Sequence, residues 1–140
     1  MNDTSTSTSK SAFVGDVRLQ LLHLHQKLLE MERKVFERIH GRVNSGELLQ
    51  LVINHPQFAW LRMISALVTQ IDELLDADET ATDDDLMNLI TQARQLFEAS
   101  GNEDFRNKYQ TALQQEPEVV MAHSALMKLL RSKVQGDGKI

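Results

Sequence analysis

The sequence contains no cysteine, which excludes disulfide bonds and thiolate metal sites and permits a reducing compartment. Its six glycines are scattered among 140 residues, and they form no phosphate-binding loop, dinucleotide fingerprint or hydrolase nucleophile turn. No acid or base is singled out by its spacing for catalysis. The sequence therefore favours a non-enzymatic protein, and we expect no cofactor.

Long apolar runs are also missing. No stretch reaches the roughly 18 apolar residues that a membrane-spanning helix requires. The first residues, MNDTSTSTSKSAF, lack the apolar segment of a secretory signal. The net charge of −5 is unlike the basic surface that binds nucleic acid. We therefore expect a cytoplasmic protein that binds neither membranes nor nucleic acid.

What the sequence does contain is helical periodicity. Apolar residues alternate at spacings of four and three from Val17 to Val35, which predicts one long helix from an N-cap at Asp16 to near Gly41. Alternation with a period of two, which would indicate strands, is absent. The predicted fold is all-α, a bundle of about five to six helices with one long N-terminal helix.

The boundaries of the later helices follow from their capping residues. Asn44 or Ser45 should cap a short second helix, Pro56 should lie in the first turn of the third, and Thr82 should cap the fourth. A fifth helix is predicted over roughly 103–115, and Pro117 should open the sixth. We expect a disordered tail over 1–13, one helical domain over 14–134, and a frayed end over 135–140.

Charge is distributed unevenly along this chain. Residues 45–100 carry ten acidic and two basic side chains, whereas residues 1–44 carry five acidic and seven basic ones. The negative middle third could attract a basic partner. One weaker hypothesis is that residues 72–85 imitate nucleic acid and bind a basic protein.

The segment NHPQFAWLR, residues 54–62, concentrates unusual residues. Pro56 suits a helix start, and a tryptophan beside it typically closes the end of a core with its indole N–H on a carbonyl. Arg62 should pair with an acid such as Glu47. The second interpretation is a pocket in which His55, Trp60 and Arg62 bind a small anion or a peptide.

Metal binding is a further alternative. Glu37 and His40 have the Glu-x-x-His spacing of carboxylate-bridged di-iron bundles. That site needs the pair twice, together with two more glutamates, and the pair occurs once. The metal hypothesis would therefore have to add His25 or His123, although His25 lies in an apolar row that favours a hydrogen-bonded core residue.

The same segment carries a family resemblance. HPQFAWLR followed by ISALVTQIDELLDAD resembles a segment of uncharacterised bacterial all-helical proteins of about this length, and the likeness extends from residue 17 to about 132. It implies an all-helical bacterial cytosolic domain. The family has no activity or catalytic residue to transfer.

The leading functional prediction is association with other proteins. Helix one is longer than a small bundle needs, and its apolar face is wider than one seam, which predicts a homodimer, a regulatory protein partner, or both. The expected dimer interface is one row of helix one, namely Leu21, Leu24, Leu28, Met31 and Val35. The alternative is a helical bundle that binds a metal or a small ligand.

Overall fold

A computed structural model describes residues 2–77 and 82–137, with side chains described for 11–77 and 82–132. These residues form six α-helices and one 3-10 helix, with no strand among them. The all-α prediction is confirmed. The helices are α1 (Asn2–His40), α2 (Ser45–Asn54), a 3-10 helix (Pro56–Leu61), α3 (Arg62–Asp76), α4 (Asp83–Ala99), α5 (Glu103–Gln115) and α6 (Pro117–Asp137).

Helix α1 begins earlier than its sequence predicts. Asp16 is not its N-cap, because the helix continues backward to Asn2 and Asp16 lies exposed within it. The core-facing row extends to Val14, which is buried three residues before the buried Val17. That additional contact favours helix across the predicted start. The disordered tail predicted for 1–13 stays a prediction.

The predicted capping residues are largely confirmed. Asn44 caps α2 through a reciprocal pair of hydrogen bonds with Glu47, and Thr82 forms the same arrangement with Asp85 at the start of α4. His55 caps the 3-10 helix, since its Nδ1 accepts from the Gln57 N–H at 3.1 Å. Helix α1 ends at His40, and Gly41 follows it with a φ of 86°.

The core lies where α1 meets α3 and α6. Helices α1 and α3 run antiparallel, because Arg18 pairs with Asp72 at 2.7 Å and Trp60 bonds to Glu32 at 2.7 Å. Helices α5 and α6 close the other side, where Trp60 packs edge-on against Phe105. Among the fully buried side chains are Leu21, Leu24, Leu28, Phe58, Leu61, Ile64, Ile71, Phe105, Leu126 and Leu130.

Helix α6 differs from its predicted orientation only near its start. The sequence predicts an inward stripe of Val120, His123, Met127 and Leu130, flanked by Val119, Leu126 and Leu129. Met127 and Leu130 are buried, but Val120 is exposed, and Val119 and the small Ala122 are buried near it. In the part of the chain that the structure describes, no helix has the length and apolarity needed to cross a membrane.

Candidate functional site

Trp60 is a core residue rather than a pocket wall. It is 3% exposed, and its Nε1 donates to Glu32 Oε2 at 2.7 Å. Glu32 is itself 8% exposed and also accepts from Gln57 Nε2 at 3.3 Å. The predicted aromatic closure of the core is therefore confirmed, but the indole partner is a carboxylate on α1 and not a backbone carbonyl.

Arg62 and His55 stabilise helix ends. Arg62 donates to the backbone carbonyls of Val52 and Ile53 in the last turn of α2, where carbonyls lack helical partners. Among the described side chains no acid pairs with Arg62, so the predicted pairing with Glu47 is wrong. His55 caps the 3-10 helix and contacts Phe36 edge-on. Trp60 is engaged by Glu32, so the three residues predicted to bind a ligand each make a separate structural contact.

The carboxylate and imidazole of the predicted metal pair are used differently. Glu37 accepts from the Val43 N–H at 3.0 Å and from Arg33 at 3.4 Å. The Val43 hydrogen bond is the main cause that lowers the pKa of Glu37, and Arg33 adds to it. The exposed His40 instead packs its ring on Phe36. Within residues 11–77 and 82–132, no group of three acids and histidines is placed to hold a metal ion.

The remaining two histidines of the metal hypothesis lie in different helix pairs. His25 faces Ser65 across α1 and α3, with 3.3 Å between Nε2 and the hydroxyl, and burial lowers its pKa. The hydrogen-bonded environment expected for His25 is confirmed. His123 bonds to the Tyr109 hydroxyl at 2.7 Å between α6 and α5. Burial, followed by the charge of Arg131, lowers the pKa of His123, and burial raises the pKa of Tyr109.

The row predicted as a dimer interface divides into two parts. Leu21, Leu24 and Leu28 are fully buried by the chain's own helices, so a second copy cannot contact them. That part of the predicted interface is wrong, because α3 and α6 already cover this stretch of α1. Met31 is half-buried, whereas Val35 is 37% exposed. Only the C-terminal end of the row is accessible.

Helix α2, which follows the accessible end of α1 in the chain, carries further exposed apolar side chains. Five of the ten residues of α2 are aliphatic, yet none is buried. Leu48, Leu51 and Val52 pack partly on the core, and the other two are exposed. We call the exposed aliphatic residues of α2 and of the last two turns of α1 the apolar pole; they are Val35, Ile39, Leu49 and Ile53, at 37%, 74%, 57% and 52% exposure.

Contacts at both ends of α2 hold it beside the last turns of α1. Val43, just before α2, bonds to Glu37, and His55, just after α2, contacts Phe36. Val35 and Ile39 are four residues apart, as are Leu49 and Ile53, so each pair forms a short ridge on its helix. The sequence contained a signal for this surface, since the aliphatic residues of α2 span too wide an arc to face one core.

A separate cleft lies between α3 and α4. It measures about 590 Å³, and its lining contains no ionisable side chain. The lining residues are Met63, Ala66, Leu67, Gln70, Gln92, Gln95, Leu96, Ala99, Ser100, Gly101 and Asn102. A further hollow of about 300 Å³ shares Gln70 and Gln92 with it and adds the acidic Glu73 and Asp85. Neither hollow is evident in the sequence, because the space depends on how far two helices separate.

The acidic segment proposed as a nucleic-acid mimic is described only in part. Asp72 at its start is paired with Arg18, and Asp83, Asp84 and Asp85 occupy the first turn of α4, where the helix dipole favours negative charge. Residues 78–81 lie outside the described residues. Asp72 and the three aspartates of α4 therefore have local structural roles.

Comparison with known proteins adds no family assignment. No protein-family model, no curated protein and no solved structure matches the chain. The resemblance of the HPQFAWLR segment to uncharacterised bacterial helical proteins stays a prediction.

Proposed function

We propose that this protein is a non-enzymatic helical protein that acts by associating with another protein through the apolar pole. The observation that carries the proposal is the exposure of Ile39 and of the α2 pair Leu49 and Ile53. Large aliphatic side chains grouped at one end of a molecule are typical of association surfaces. His25, Glu37, Tyr109 and His123, whose pKa values are shifted, are each held in a hydrogen bond with another part of the chain, which does not favour catalysis.

Two kinds of association fit this proposal. One is a homodimer, and the other is a complex with a different protein. Light scattering coupled to size exclusion at about micromolar concentration separates them, since one chain has a mass of 15.9 kDa. A dimeric mass that reverts to monomeric in Ile39→Ser supports the homodimer.

Site-specific photocrosslinking tests the pole itself. A benzoylphenylalanine at position 39 or 53, in cells that make the protein natively, should yield a covalent adduct with a defined partner. The matched position is Gln114, an exposed residue on α5, which should yield none. If positions 39 and 53 capture no more than position 114, and light scattering gives a monomer, association through the apolar pole is refuted.

Binding of a small ligand is a second candidate, and the α3–α4 cleft favours it over the residues His55, Trp60 and Arg62. Its volume of about 590 Å³ falls within the range of small-molecule sites. Because its lining is uncharged, a neutral ligand fits it better than an anion. Screening a fragment library by NMR, with Ala66→Trp to fill the cleft, tests this role; fragment shifts that persist in that variant would refute it.

A further inference from the structure

The exposed residues Val35 and Ile39 lie on the same side of α1 as two fully buried residues, Val17 and Leu21. Val35 follows Val17 by 18 residues and Ile39 follows Leu21 by the same number, which is about five turns of an α-helix. Val17 and Leu21 are fully buried, whereas Ile39 is 74% exposed. The core-facing side of α1 therefore continues, unchanged in direction, beyond the stretch in which its side chains are fully buried.

A charged edge accompanies this side of α1. Lys27 pairs with Glu118, in the first turn of α6, at 3.6 Å. Lys34 lies about two turns further along on nearly the same side, and Arg38 lies one turn beyond Lys34. Neither Lys34 nor Arg38 forms an ion pair with any of the described side chains. The acids nearby, Glu30 and Glu37, are both engaged by Arg33.

We propose that the uncovered end of α1 receives an amphipathic helix of a different protein, with an apolar face and acidic residues along one edge. This inference rests on the proposed function and specifies its partner. The occupant would continue the packing that α6 provides upstream, placing aliphatic side chains on Val35 and Ile39. Its carboxylates would pair with Lys34 and Arg38 as Glu118 pairs with Lys27.

The charge pattern favours such a helix over a second copy of the chain. A two-fold dimer brings the same patch of both copies together. Lys34 and Arg38 would then lie near the same two residues of the other α1. Like charges brought together in an interface oppose association. An acidic edge on a helix of a different protein avoids this repulsion and supplies carboxylates that pair with Lys34 and Arg38.

Three synthetic helical peptides with an identical leucine face test the inference. Their edges carry glutamate, glutamine or lysine, and binding to the full chain is measured by fluorescence anisotropy at low and high salt. We expect the glutamate peptide to bind at least about fivefold tighter than the glutamine peptide at low salt. About 0.5 M salt should reduce the difference to less than about twofold, because exposed charges are screened.

Matched variants assign the effect to this surface. The double variant Lys34→Glu/Arg38→Glu should remove the preference for glutamate, whereas Lys128→Glu, an exposed charge change on α6, should retain it. Ile39→Ser should weaken binding of the glutamate and glutamine peptides alike. All the substituted side chains are exposed, and circular dichroism verifies that each variant folds.

The outcomes separate this inference from the proposed function. If position 39 crosslinks to a partner but the three peptides bind equally or not at all, the acidic-helix inference is wrong and association stands. If light scattering shows a dimer that Ile39→Ser disrupts, the partner is a second copy of the chain, and the acidic-helix inference is likewise wrong. If positions 39 and 53 also give no crosslink and the chain is monomeric, both are wrong.

Discussion

Trp60 and Glu32 form a buried contact whose contribution to stability depends on these two side chains. A carboxylate that is 8% exposed is costly to bury unless hydrogen bonds compensate it. Here the indole N–H and the amide of Gln57 supply them. This buried arrangement joins α1 to the 3-10 helix across 28 residues of sequence.

Replacing Trp60 by phenylalanine should lower the free energy of unfolding by about 1–3 kcal/mol, because Glu32 loses its shortest hydrogen bond and ring volume is lost. Urea denaturation followed by circular dichroism measures this change. In a Glu32→Met background the same substitution should cost less, since no carboxylate remains to be left unpaired. A coupling free energy below about 0.3 kcal/mol would show that the hydrogen bond contributes nothing.

Prediction from the sequence succeeded for the environment of single residues and failed for their partners. The Pro-Trp pair near a helix start correctly indicates a buried ring. Its partner is a glutamate in another helix, and the partner of Arg62 is the end of α2. Sequence patterns describe a residue's local preference, whereas a partner distant in the chain depends on how helices pack.

At the level of helices, the α1–α2 junction depends on Gly41. Its φ of 86° lies in the left-handed region that other residues adopt at a cost, and its N–H bonds to the Glu37 carbonyl at 2.9 Å. A Cβ at this position would meet nothing within 4 Å. Backbone conformation alone therefore makes glycine the suitable residue here.

Gly41→Ala should destabilise the protein by about 1–2 kcal/mol, through the left-handed backbone. Gly101→Ala is the matched control, because its Cβ also meets nothing within 4 Å and its φ is not positive. That control should have equal or slightly higher stability. Chemical denaturation midpoints compare the two, and equal losses would contradict the argument from φ.

Helix boundaries were predictable because capping is local. Asn44, Thr82 and Pro117 signal the starts of their helices within a few residues. The 3-10 helix between α2 and α3 was not predicted, since Pro56 is equally compatible with the first turn of either helix type. The start of α1 was not predicted, because the burial of Val14 depends on packing against other helices and not on a local capping signal.

At the scale of the whole molecule, His25 and His123, which lie in different helix pairs, should together make the stability of the fold depend on pH. Burial lowers the pKa of both His25 and His123 below the ordinary 6.5. Below that value the unfolded chain binds more protons than the folded one, so stability present at neutral pH is lost as pH falls. Glu37 and Glu98 have lowered pKa values too, but their contribution is lost only below about 4.5.

Thermal unfolding midpoints should therefore decrease between about pH 7 and pH 5, before the carboxylates titrate. The double variant His25→Gln/His123→Gln should reduce this decrease. His23→Gln, which replaces an exposed histidine on α1, should retain it. An unchanged slope in the double variant would show that other groups cause the pH dependence.

The fold class of the molecule was predictable, but its accessible surfaces were not. Periodicity identified the six α-helices of the described residues, while burial of Leu21, Leu24 and Leu28 in the chain's own core left Val35 and Ile39 as the accessible surface. The α3–α4 cleft likewise depends on the separation of two helices. Such features arise from the sum of all packing contacts, which no single segment specifies.

The weak attachment of helix α2 affects how the native state opens locally. None of its ten residues is buried, and its ends are held by capping bonds and by Arg62 on its last carbonyls. Detaching it breaks these contacts and the partial packing of Leu48, Leu51 and Val52, but exposes no fully buried side chain of α2 itself. Helix α2 is therefore the segment that can open as a local unit, at a free energy below that of global unfolding.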